Sequence, residues 1–243
     1  MDPQSRTGSR PHKNKPADTK VSQLDRQSVL DGRVQALARA RDGANANVLS
    51  DEDLLASRRQ MIPDNGLDQD LWIFGYGSLV WNPMIEFDRR LQGRAHGWHR
   101  RFCLRTHIGR GSPEQPGLVL GLDRGGSVNG LLFRIPADQT RHECDLLWRR
   151  EMLNNSYRPV WISVQTPEGA KKALSFAIRR DGPAYVPPMQ LEEASRIIAV
   201  ASGFIGPCSD YLFETHRALA EWGIADPQMA RLVELVRAAQ KHS

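Results

Sequence analysis

The sequence predicts an α+β fold, a small and mainly antiparallel β-barrel with flanking helices. Three observations predict it. From Leu71 the chain breaks into short β-rich runs separated by glycine, and after Pro188 it turns helix-periodic. Nowhere do strand and helix alternate as in a doubly wound nucleotide-binding sheet. A chain of 243 residues can bury one substantial core, so one domain with an appendage is expected rather than two full domains. The boundaries are 1–66 for an N-terminal extension and 67–243 for the folded domain.

The first twenty residues are rich in Ser, Pro, Lys, Arg and Asp. They carry too little apolar surface to offset chain entropy and read as a disordered tail. Leu24, Val29, Leu30, Val34 and Leu37 recur at roughly helical spacing over 21–40, up to a break at Asp42 and Gly43. Ser50 before Asp51, Glu52 and Asp53 is a helix start, a hydroxyl cap with acidic residues at the positive end of the dipole; Pro63 and Gly66 end that helix. Strands are expected over 71–74, 94–104, 118–122, 128–135, 158–165 and 172–178. GLDRGGSVNG, between the third and fourth, reads as a hairpin turn, because Gly125 and Gly126 tolerate positive φ. A helix covers 138–153. Beyond Pro188, Leu191, Ala194, Ile197, Ile198 and Ala201 share one helical face with a stop at Gly203, and a second helix runs from Ser209 to Gly223. Asp226 caps a third, with Pro227 at its first position and Met229, Leu232, Val233 and Val236 turned inward.

Composition excludes several function classes. Hydrophobic residues are 40% and charged residues 25%, and no apolar run approaches the roughly 20 residues of a spanning helix, so no membrane partner is expected. The polar start lacks the apolar stretch of a secretion signal, which predicts a cytoplasmic protein. Cys103, Cys144 and Cys208 are widely spaced and odd in number, which argues for reduced thiols rather than a disulfide framework. A net charge of +5 is spread along the chain without a nucleic-acid-binding motif, so no nucleic-acid partner is expected either. No His, Asp or Glu cluster has ligand spacing, so the expectation is no metal and no cofactor. The oligomeric state has no sequence signal.

Two segments carry chemistry. In LWIFGYGSLVWNP, residues 71–83, an apolar strand runs into Gly75, Tyr76, Gly77 and Ser78. Glycines there let successive amides converge on an anion as a nest, or make a plain tight turn. In CDLLWRREM, Cys144, Leu147, Trp148 and Glu151 fall on one helical stripe while Arg149 and Arg150 point elsewhere. Glu151 thus interrupts an apolar face. Desolvation there raises a carboxyl pKa toward the range useful for proton transfer, unless the side chain pairs with a buried arginine or reaches water at the helix end. Glu143, a quarter turn off the stripe, is expected in solvent. Arg110, between two glycines in GRGSPEQPG, is a candidate carboxylate clamp or a solvated loop charge.

These segments, in this order, resemble the ChaC family of γ-glutamylcyclotransferases. The resemblance covers roughly 71–236 and rests on FGYGSLVWNP, GWHRRFCLR, RGSPEQPGLVLGL with its following glycine pair, and the helix ending WRREM. It implies a γ-glutamylcyclotransferase-like barrel and a substrate loop at Tyr76, Gly77, Ser78 and Leu79. It also implies a catalytic Glu151 and a glutathione substrate whose γ-glutamyl group cyclises to 5-oxoproline. Arg110 would then orient the cysteinylglycine end. The chain departs from relatives in having Gly109 where they often carry His and Phe176 where some carry Tyr. Other γ-glutamyl peptides or γ-glutamylamines are the competing substrates, and a non-catalytic regulatory module associated with cation transport is the competing class.

Overall fold

A computed structural model describes residues 24–42 and 47–241. The tail expected over the first twenty residues lies outside them, and the break expected at Asp42 and Gly43 falls on their edge. The helices are α1 Arg26–Leu30, α2 Arg33–Asp42, α3 Asp51–Met61, α4 Ala137–Glu151, α5 Leu191–Val200, α6 Cys208–Glu221 and α7 Pro227–Lys241. The strands are β1 Leu71–Gly75, β2 Arg89–Thr106, β3 Gly117–Ile135, β4 Tyr157–Thr166, β5 Gly169–Ile178, and the short pair β6 Ser202–Gly203 and β7 Gly206–Pro207.

Strands β1 to β5 close a barrel in the order β1-β3-β2-β4-β5, with β1 returning to β5 through a parallel bridge at Ile73 and Leu174. The other main pairings are antiparallel, as the run of short connections requires. Leu118, Leu122, Leu131, Phe133, Val164 and Leu174 are fully buried in it. Each large aliphatic or aromatic side chain so enclosed contributes roughly 1.5–3 kcal/mol.

The expected turn at Gly125 and Gly126 is not a turn. Both glycines have positive φ, at 108° and 68°, but they lie inside the continuous strand β3, opposite Gly97 at 78° and a register shift between His96 and Trp98. The glycines bend a long hairpin so that it can wrap the barrel, which is the other use of positive φ in a sheet. A second correction concerns 21–40, where one helix was expected: Gly32, at φ 68°, divides α1 from α2.

The N-terminal segment packs against the barrel domain. Val29, Val34 and Leu54 join the same hydrophobic core as β1 and α4. Asp25 and Ser28 cap α1 reciprocally, and Ser50 and Asp53 do the same for α3. Val48 bridges Asn154, and the Leu49 amide donates to the Leu153 carbonyl at 3.1 Å. The extension is thereby tied to Leu153 and Asn154, just beyond the end of α4.

Candidate active site

α4 delivers the acidic residue. Its stripe of Cys144, Leu147 and Trp148 is buried against the barrel, with the Trp148 ring edge-on to Phe176 at 5.5 Å. Glu151, one turn further at the helix end, continues that stripe. Its side chain is 13% exposed and lines a cavity of about 140 Å³ with Leu104, Asn154 and Tyr157. Burial raises its pKa above the ordinary 4.5, and the Arg150 guanidinium, with Nε 2.9 Å from the carboxylate, offsets this only in part.

Arg150 was expected to point away from the core, yet it is 4% exposed. Its guanidinium donates to the carbonyls of Asn82 and Pro83 and to Ser78 Oγ at 3.1 Å, and its Nε forms an ion pair with Glu151. Both terminal nitrogens thus find oxygens in the chain after β1 while Nε faces a carboxylate, which is what makes the buried charge tolerable. Glu143 is a further correction. It is 1% exposed, and Arg26 of α1 grips both its oxygens at 2.5 and 2.7 Å while the Glu86 amide donates at 3.0 Å.

The Tyr76 to Leu79 segment leaves β1 and enters a single turn of 3₁₀ helix over Ser78–Val80. The amides of Val80, Trp81 and Asn82 are bonded back to Gly77 and Ser78. Those of Gly77, Ser78 and Leu79 have no partner among the described residues. Tyr76 OH donates to the Phe176 carbonyl at 2.8 Å, and Arg100 donates to the Tyr76 carbonyl at 2.8 Å while pairing with Asp226 at the start of α7. Gly77 has little room for a side chain, since a Cβ would stand 3.0 Å from Tyr211 OH, which would have to shift. The phenols of Tyr76, Tyr157 and Tyr211 are raised by burial, and each is raised further by the charge of Glu151.

The turn and Glu151 therefore meet through one guanidinium, that of Arg150. Neither Arg110 nor Tyr76 to Leu79 lines the cavity with Glu151; the turn is linked to it through Arg150, whereas Arg110 Nη1 donates to the Pro207 carbonyl at 3.0 Å. Gly109 beside it, at φ 80°, permits close approach of Ile205, whose Cδ1 would lie 2.6 Å from an added Cβ. Sequence reasoning missed Arg150, Arg100, Tyr157 and Tyr211. The signal for Arg150 was its place next to Glu151 in WRREM; the others become site residues only when the barrel closes. All three cysteines are free and buried, their thiols pushed up to about 12 at Cys103 and Cys144 and about 11 at Cys208.

Comparison with known proteins identifies the family. The family model described as ChaC-like protein matches residues 71–239. The chain is 38% identical to the glutathione-specific gamma-glutamylcyclotransferase of Escherichia coli strain K12, over 75% of this chain and 78% of that protein. It is 32% identical to the mouse glutathione-specific gamma-glutamylcyclotransferase 1, over 61% of this chain and 69% of the other. A crystal structure of the yeast cyclotransferase specific to glutathione superposes with a TM-score of 0.67 at 22% identity, covering 72% of this chain and 99% of that one, which is a likeness of fold. With the barrel, the glycine turn and the glutamate at the end of α4 all inside the matched span, the chain belongs to the ChaC-like protein family.

Proposed function

We propose that this chain degrades glutathione, acting as a glutathione-specific γ-glutamylcyclotransferase that releases 5-oxoproline and cysteinylglycine. The substrate supplies its own nucleophile. The α-amino nitrogen of the γ-glutamyl group attacks its γ-carbonyl carbon, a new C–N bond closes the five-membered lactam, and the amide bond to cysteine breaks with its electron pair leaving on nitrogen. No water is consumed. Well-oriented intramolecular attack corresponds to effective molarities on the order of 10⁵ to 10⁸ M, so holding the γ-glutamyl chain curled supplies much of the acceleration.

Proton traffic remains. Glu151 takes a proton from the attacking amine and returns one to the departing nitrogen. The observation that carries this reading is a carboxyl group at a cavity wall whose pKa burial has raised, held by the guanidinium that also holds the turn. The unpartnered amides of Gly77, Ser78 and Leu79 suit the α-carboxylate or the developing oxyanion, and Tyr76 fixes the turn that presents them. The two glutathione-specific relatives support glutathione as the substrate. A reducing cytoplasmic setting is supported by the three free, buried thiols.

Glu151→Gln keeps the side-chain size and removes the proton carrier. With the fold checked by thermal melting, 5-oxoproline release from glutathione is expected to fall about 10²- to 10⁴-fold while glutathione still binds. Turnover at the wild-type rate sinks the assignment.

A further inference from the structure

Arg105, Thr106, Ile108 and Asn154 line both the cavity that holds Glu151 and a larger cleft of about 370 Å³. Arg105 thus borders both spaces. Its backbone is fixed near the end of β2, paired with Leu118 of β3 and donating its amide to the Ala184 carbonyl at 2.9 Å. Its side chain is exposed and has no ion pair or hydrogen bond among the described residues. The other arginines lining these spaces are engaged: Arg149 by Asp51 at 2.8 Å, Arg179 by Asp181 at 3.0 Å, and Arg150 as described above.

A substrate with two carboxylates faces three arginines and one glutamate in the cavity with Glu151. Its reacting amine must reach Glu151, which keeps the α-carboxylate beside it, on the side of Arg150 and the turn. The second carboxylate lies at the opposite end of the peptide. We propose that Arg105 is a specificity-determining residue that binds the terminal carboxylate of the leaving cysteinylglycine half, the role the sequence suggested for Arg110. This rests on the cyclotransferase reading. A planar guanidinium on a fixed strand end can take that carboxylate in two parallel hydrogen bonds, selecting peptides with a free C-terminus over amides and simple γ-glutamylamines.

The test compares glutathione with its glycinamide analogue, which keeps the γ-glutamyl group and removes only the terminal charge. For an exposed ion pair of this kind, wild-type protein should prefer glutathione by about two- to fivefold in kcat/KM, and Arg105→Gln should bring that preference close to one through KM rather than kcat. Arg105→Lys should restore part of it. An unchanged preference in Arg105→Gln overturns the proposal. Calorimetric binding of the same two compounds to Glu151→Gln, with and without Arg105→Gln, separates the two readings. If the wild type forms no 5-oxoproline, the cyclotransferase reading fails, and the binding preference for the free carboxylate alone then decides for or against Arg105.

Discussion

A carboxyl group that must take up and return a proton near neutral pH is poorly served by the ordinary carboxylate pKa. Glu151 departs from it in the useful direction, because its burial outweighs the attraction of Arg150. The sign is definite. Acting as a base, Glu151 must be ionised, so kcat/KM is expected to rise with pH along an acid limb whose midpoint lies above the 4.5 of an unperturbed glutamate. A pH–rate profile on glutathione checks this, and an acid limb centred at or below 4.5 removes Glu151 from the role. The residue was legible in the sequence because a 3.6-residue period aligned it with Cys144, Leu147 and Trp148. Glu143 and Arg150 were not legible. What makes their burial tolerable is Arg26, 117 positions from Glu143, and the carbonyls of Asn82 and Pro83, about 70 positions from Arg150, and no local period reports such partners.

At the scale of elements, the N-terminal helices do more than precede the barrel. Leu24, Val29 of α1 and Val34 of α2 line the same cavity as Glu151, and the Arg26–Glu143 pair clasps α1 to α4. Removing one partner of a buried pair costs roughly 3–5 kcal/mol when the other charge stays enclosed. Here the chain has a cheaper escape, since release of α1 returns Glu143 to water. Arg26→Ala is therefore expected to speed amide hydrogen exchange across α1 and α2 and to raise KM for glutathione several-fold, with little change in exchange from the barrel strands. Exchange and KM both at wild-type values contradict a clasp. The sequence showed the apolar spacing of these helices but not their destination, because an amphipathic stripe says that a face is buried and not against what. The glycine pair in β3 was misread for a similar reason: positive φ serves a turn and a bend equally, and only the partner strand with Gly97 opposite distinguishes them.

The closed barrel joins segments that lie far apart in the chain, and its charge network makes that closure depend on pH. Asp123 of β3 is 2% exposed and is held by Arg101 of β2 at 2.8 Å and by Arg180, just after β5, at 2.6 Å. Tyr185 OH donates to it at 3.2 Å and the Arg124 amide at 2.8 Å. Burial alone would raise its pKa; the two arginines and the amide reverse that and hold it at about 2, against 3.8 for a free aspartate. A group whose folded-state pKa is depressed stabilises the fold fully above its unfolded value and loses that contribution as pH falls through the folded one. The window here runs from about pH 4 down to about pH 2, and at 1.36 kcal/mol per pKa unit the contribution is about 2 kcal/mol. Urea unfolding of the wild type followed across that window should lose about this much more stability than Asp123→Asn does. At neutral pH the Asn variant should itself be less stable by up to about 3–5 kcal/mol, because Arg101 keeps its charge partly buried with its carboxylate partner gone. Curves for the two proteins that run parallel from pH 5 to pH 2 would show that this carboxylate does not hold the strands together.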